Sequence, residues 1–337
     1  MTAKLAPEKF EHAATAEYEG ILYALAFDES AHTAYAAGDD RALYAVDVGA
    51  AEPKLTKVAA HHDNYVSAIA LRGEVVISAG YDGRILWTRA AGGEQLRDVA
   101  AHDGWIRDLT LLADDSQLAS VGHDLCVRLW DAETGALLRV FEGHAATTPQ
   151  GYVSAIYALA ASPDGRYLAS GDRVGEVRVW EIETGKLAAT LASPAFYTYD
   201  ASKRVRSIGG IRSLCFSPDG KQLAIAGIGQ VTNVDGFVGP CRIELWDWAA
   251  GKRTFTGQDS HKAVLNHIAF DAGGEWLIAA GGGDSGGLLA FWDPSQEKPQ
   301  HKAKPKGHIQ RFHLDQSAGA LYLAGHGGLQ VWRTPPS

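Results

Sequence analysis

A tryptophan recurs along this chain at the end of a short apolar run: Leu129-Trp130-Asp131, Val179-Trp180-Glu181, Leu245-Trp246-Asp247, Phe291-Trp292-Asp293 and Val331-Trp332-Arg333. Leu86-Trp87-Thr88 is a weaker copy, and Ala45-Val46-Asp47 stands where an earlier copy is expected. The anchors at 46, 87, 130, 180, 246, 292 and 332 recur mostly every 40 to 50 residues, and six of the nine tryptophans occupy this one position. A period of that length suits a unit of four short strands. Such a unit cannot bury its own faces and must stack on its neighbours.

Each unit agrees with that reading. Ile106 to Leu111 alternates at period two, and Gln117 to Val121, Val127 to Trp130 and Ala136 to Phe141 follow as three more short runs. Ser162-Pro163-Asp164-Gly165 and Ser217-Pro218-Asp219-Gly220 are turns with a mechanism: proline presets φ and glycine accepts the positive φ that follows. No segment has the pattern of a long amphipathic helix. The expected fold is all-β: a seven-bladed β-propeller of four-stranded antiparallel blades filling residues 1–337 as one domain. Because the chain ends on a third strand, residues near Lys4 to Phe10 are expected to supply the fourth strand of the last blade and close the ring.

These motifs resemble the Trp-Asp (WD40) repeat family of β-propellers over nearly the whole chain. The family's repeat carries a Gly-His pair before the inner strand, a Ser or Thr in the second strand, an Asp in the next turn and the Trp in the third strand. Repeat three matches with His102, Ser120, Asp124 and Trp130. Repeat two matches with His62, Ser78, Asp82 and Trp87, one residue short between Asp and Trp. Repeat four keeps His144, Ser170 and Trp180 but has Val174 at the Asp position, and repeat six offers His261, Asp284 and Trp292. The His/Ser/Asp sets could be read as catalytic triads. Their repetition favours a buried hydrogen-bonded network that pins each blade, since an enzyme needs one site and not several degenerate copies.

Composition narrows the function further. A net charge of −9 opposes non-specific attraction to nucleic acid or anionic membranes. Cys126, Cys215 and Cys241 are too few and too scattered for a disulfide framework, which suggests a cytoplasmic setting. Abundant alanine with a single methionine suggests a bacterial source. No zinc-type cysteine pairing, HExxH or Gly-x-Ser-x-Gly elbow is present, and Gly281 to Gly287 precedes a strand rather than the helix a phosphate loop needs. No cofactor and no metal are expected.

Function should lie in what is not repeated. Three insertions stand out: Ala145 to Ala155, Ala192 to Gly210, and the loop between Ile225 and Ile243. The second holds Phe196, Tyr197, Tyr199, Lys203, Arg204 and Arg206, and the third holds Phe237. The resemblance places them on one sector of one face, the top, in blades four to six. Aligned by repeat, the channel mouth carries Tyr23, Ser67, Arg107, Tyr157, Arg212, Asn266 and Gln310, with Tyr65 and Trp105 beside it. Aromatic residues and arginine are what binding hot spots prefer. The expected function is a non-catalytic scaffold that holds a partner protein or acidic peptide there, compatible with membership of a larger complex. The alternative is a small-molecule or catalytic site in the channel around Arg107 and Arg212.

Overall fold

The computed structural model describes residues 4–235, 239–283 and 286–335. Apart from single 3-10 turns at Pro7–Lys9 and Pro194–Phe196, its regular structure is antiparallel β. No helix among the described residues is long and apolar enough to cross a membrane. Five sheets have four strands each and begin with the inner strands Val66–Arg72, Ile106–Leu111, Ile156–Ala161, Ile211–Phe216 and Val264–Phe270. A sixth sheet has six strands in the order Ile309–Asp315, Ala320–Arg333, Glu11–Asp28, Thr33–Gly38, Leu43–Asp47, Thr56–Ala59.

The expectation of seven separate blades is therefore corrected: the β-propeller is built from six such sheets. The repeats anchored at 46 and 332 share one sheet because Glu11–Asp28 is a single eighteen-residue strand. Its first half pairs with the end of the chain, Glu11 opposite Arg333 and Thr15 opposite Gln330. Its second half pairs onward, Leu25 opposite Ala36. No proline or Asn-Gly punctuation interrupts residues 11–28, so nothing forces the turn that would split the sheet. The partner strand Ala320–Arg333 bends instead, at Gly327 and Gly328, both with positive φ. A Cβ on Gly328 would lie 2.1 Å from the Ala16 carbonyl oxygen, so the closing strands approach too closely for any other residue.

The closing segment is also displaced from its expected place. Lys4 to Phe10 is not a strand, since the proline turn at Pro7–Lys9 precludes it, and pairing starts at Glu11. Leu5 and Phe10 nevertheless are buried against the last two sheets, with the Phe10 ring stacked 6.0 Å from Phe291.

The core consists of seams between adjacent sheets rather than one central mass. One seam joins Val177, Val179 and Leu191 to Ile211, Phe216 and Trp246. Ala34, Ala36, Ala79, Ala119, Ala169, Ala224, Ala279 and Ala290 are all fully buried in such seams. Alanine thus packs these seams beside much larger side chains such as Phe216, Trp246 and Trp292. Inner strands line that axis in the cyclic order 11–28, 66–72, 106–111, 156–161, 211–216, 264–270 and 309–315, the six-stranded sheet contributing two of them.

Candidate functional site

Polar networks inside the sheets decide which histidines are available for chemistry. In the sheet starting at Ile106, the His102 ring is bonded to Asp124 at 2.9 Å and to Ser120 at 2.7 Å, and Trp130 Nε1 donates to Ser120 Oγ at 2.9 Å. The Asp124 carboxylate can only accept, so Nδ1–H of His102 points at it, and Nε2 of the neutral ring accepts from the Ser120 hydroxyl, which itself accepts from the indole N–H. Burial lowers the His102 pKa against the pull of Asp124, while hydrogen bonds from His102 and Arg128 hold the Asp124 carboxyl far below the usual range. Every polar side-chain atom of the set has a structural partner.

Its neighbours depart from this pattern in instructive ways. His62 bonds Asp82 and Ser78, but Trp87 Nε1 donates to the Ala132 carbonyl instead. The missing residue between Asp82 and Trp87 is the cause, since a one-residue slip in a strand moves a side chain to the other face. In the next sheet but one, His144 bonds Asp172 at 3.1 Å, and Trp180 donates to Ser170 at 3.0 Å. Asp172, two residues before Val174, supplies the carboxylate. In the sheet starting at Ile211, fully buried Glu244 takes over: it accepts from Ser193, Trp246, Arg242 and Arg253. Sequence reading missed it because the family pattern has no acid there.

The sheet starting at Val264 lacks the hydroxyl. Ala279 faces Ile268 in the register where Ser120 faces Leu109. Among the described residues, the buried His261 Nε2 and Trp292 Nε1 have no partner, and Asp284 lies outside the described residues. Ala279→Ser is expected to bridge them and raise stability by about 1 kcal/mol. A thermal melt checks this, and an unchanged or lower Tm would show that the two groups do not converge on that position.

The channel mouth brings together all seven aligned positions, from Tyr23 to Gln310, around a cavity of 70 Å³. Tyr81 and Arg311 join them. An arc of rings runs along its rim: Tyr23 to Tyr65 at 6.0 Å, Tyr65 to Tyr81 at 5.9 Å, Tyr81 stacked on Trp105 at 4.6 Å, then Trp105 to His123 at 4.8 Å. Trp105 is 45% exposed and Tyr65 41%. The Arg107 guanidinium lies over the Tyr81 and Tyr157 rings and donates to the Tyr81 hydroxyl. Arg212 lies over the same Tyr157 ring, 4.8 Å from its centre. Burial and the adjacent Arg107 charge both push the Arg212 pKa down. Tyr81 and His123 were not among the residues expected here. They occupy one repeat position, each donating its backbone N–H to the carbonyl of the rim aromatic of its own repeat, and aligning that position would have found them.

Beneath the mouth, Arg311 reaches across the channel to Asp108 at 2.5 Å. Asp108 is fixed further by the backbone N–H groups of Leu109 and Leu159. Burial pushes its carboxyl up, and Arg311 with those N–H groups pulls it back. Arg311 borders both the mouth and a lower chamber of 300 Å³.

The insertions interlock on the same face. Residues 197–199 and 207–209 form a small hairpin whose Gly209 carbonyl accepts from Arg212 at 3.4 Å. The Tyr197 hydroxyl donates to Gln150 at 2.9 Å, and the backbone N–H groups of Arg204 and Val205 donate to Asp235. Tyr199 rests near Tyr152 with its ring partly exposed, Arg204 and Arg206 are exposed, and Lys203 is half-buried. Phe196 is fully buried in the seam with Ile211 and Trp246, which corrects its place among binding residues. Phe237 lies outside the described residues.

Comparison with known proteins agrees with this geometry. The family profile described as "WD domain, G-beta repeat" matches residues 93–131 and 135–181. Apoptotic protease-activating factor 1 of Rattus norvegicus is 28% identical over 168 residues, 50% of this chain and 12% of that protein. Protein HIR1 of Cryptococcus neoformans is 31% identical over 172 residues, 49% of this chain and 18% of its own. Protein TOPLESS of Arabidopsis thaliana is 28% identical over 245 residues, 70% of this chain and 19% of its own. The chain thus spans less than a fifth of each of these relatives. All three are eukaryotic, which corrects the bacterial source suggested by composition. Matched repeats, four-stranded antiparallel sheets around a channel and His–Ser–Trp networks inside them together support a WD40 family for this chain.

Proposed function

We propose that this protein is a non-catalytic interaction scaffold whose top face, from the aromatic arc at the channel mouth to the interlocked insertions, holds an acidic segment of a partner protein. The observation that carries the reading is the arc itself. Trp105 and Tyr65 keep over two-fifths of their surface in solvent while Trp105 is stacked on Tyr81 and Tyr65 packs at a tilt between Tyr23 and Tyr81, so little entropy remains to be lost on binding. Arg107 and Arg212 add positive charge at this spot on a protein of net charge −9, which favours an acidic partner. The relative from rat is named for activating a protease, itself a protein target. A catalytic channel is less well supported. The mouth offers tyrosine, arginine, serine and amide groups, and the Asp108 carboxylate in the chamber below is occupied by Arg311 and two backbone N–H groups.

Affinity capture from cell extract, read by mass spectrometry, tests the reading. Trp105→Ala is expected to cost about 2 kcal/mol of partner binding, a loss of roughly thirtyfold, as hot-spot aromatics do. Arg204→Ala with Arg206→Ala should weaken capture less. Retention of every partner by folded Trp105→Ala protein would move the binding face elsewhere.

A further inference from the structure

Little balances the two arginines of the mouth. Arg311 has Asp108, and the half-buried Arg242 has Glu244. Among the described residues, neither Arg107 nor Arg212 forms an ion pair. Arg107 spends one hydrogen bond on the Tyr81 hydroxyl, and Arg212 spends one, at 3.4 Å, on the Gly209 carbonyl. A guanidinium carries five N–H donors, so most of their capacity is unspent and borders the 70 Å³ cavity. Both lie over the single Tyr157 ring, at 5.1 and 4.8 Å, which fixes them close together despite their like charge. Stacking on the ring face leaves the in-plane N–H edges available, and those edges recognise oxyanions.

We propose that the channel mouth is a phosphoryl-binding pocket in which Arg107 and Arg212 together hold one dianionic phosphate group, either free or carried on a side chain of the partner. The inference rests on reading this face as the binding surface and adds the chemistry of its anchor. A lone carboxylate brings one negative charge to two cations. A phosphoryl group brings nearly two, with three acceptor oxygens for the unspent donors. The floor cannot supply the missing charge, because Asp108 is committed to Arg311 and the backbone. The cavity has room for one tetrahedral group, with the Tyr81 hydroxyl at its edge.

Isothermal titration calorimetry on the full chain tests this with inorganic phosphate, O-phospho-L-serine and L-glutamate, each at chloride-matched ionic strength. Saturable binding of phosphate or phosphoserine, with glutamate about tenfold weaker, is expected. Arg107→Gln and Arg212→Gln should each weaken it about tenfold, and Arg166→Gln, at an exposed arginine away from the mouth, should leave it unchanged. Should Arg212→Gln fail to fold, Arg212→Lys keeps the charge but loses the fork and should still weaken binding. Tighter binding of phosphoserine than of phosphate assigns the group to a partner side chain, and the reverse assigns a free ion. No saturable binding beyond chloride, glutamate binding as tight as phosphate, or full binding by the folded arginine variants overturns the proposal. Loss of partner capture by Trp105→Ala with no phosphate binding would leave the scaffold standing without this anchor. Phosphate binding with unchanged capture would do the opposite.

Discussion

Deleting residues 1–17 should abolish cooperative folding, whereas deleting residues 1–10 should leave a ring that melts earlier. The shorter deletion removes two buried side chains, Leu5 and Phe10, from the seam around Phe291. At about 1.5–3 kcal/mol each, their loss is about 3–6 kcal/mol, a large part of the about 5–15 kcal/mol that stabilises a typical domain. The longer deletion also removes the ladder from Glu11 to Glu17 opposite Gly328 to Arg333, the buried Ala16, and the Lys306–Glu17 ion pair. It leaves Ala320–Arg333 as an open strand edge, a template for pairing between chains. Thermal melts with size-exclusion chromatography separate the two outcomes. A cooperative melt of the longer deletion within a few degrees of the full chain would show that this ladder does not close the ring.

What the sequence revealed follows from how local each signal is. The strands and their turns were legible because period-two alternation and Pro-Asp-Gly turns act over a few residues, as in Gln117–Gly122 and Ser162 to Gly165. The channel mouth was legible for a different reason: residues at one repeat position reach one height on the axis, so aligning Arg107, Tyr157 and Arg212 placed them around one cavity. The sixth sheet was not, because a missing turn signal between Glu11 and Asp28 is weaker to read than a present one. Phe196 misled because an aromatic in an inserted loop has the composition of a hot spot whether it faces solvent or, as here, plugs a seam. Trp87 misled by one residue of register. Glu244 and the Asp108–Arg311 contact could not be read at all. The first replaces a histidine–serine network with different chemistry, and the second joins residues 203 apart in sequence that meet only when the ring closes.

Breaking the Asp108–Arg311 pair from either side should be severe, and breaking both sides together should be milder. Asp108→Ala strands Arg311 beside Arg107 and Arg212 and leaves the Leu109 and Leu159 N–H groups without their acceptor. Removing one partner of a buried pair costs about 3–5 kcal/mol, mostly the penalty of the charge left behind. Arg311→Ala strands the carboxylate instead, and its cost should depend on pH. Burial already raises the Asp108 pKa, and Arg311 is the strongest influence lowering it, so its removal raises the folded-state pKa further above the unfolded value. A carboxyl with a raised folded pKa binds more protons folded than unfolded, so stability falls as pH rises from the unfolded pKa through the folded one. Arg311→Ala should therefore lose less stability at pH 5 than at pH 8, and Asp108→Ala should show no such slope. In Asp108→Ala/Arg311→Ala neither charge remains, and the double variant should be more stable than either single one. Urea denaturation of the four proteins at both pH values gives the cycle. Additive costs would mean that the two side chains do not meet across the channel, and that the mouth and the lower chamber are not divided there.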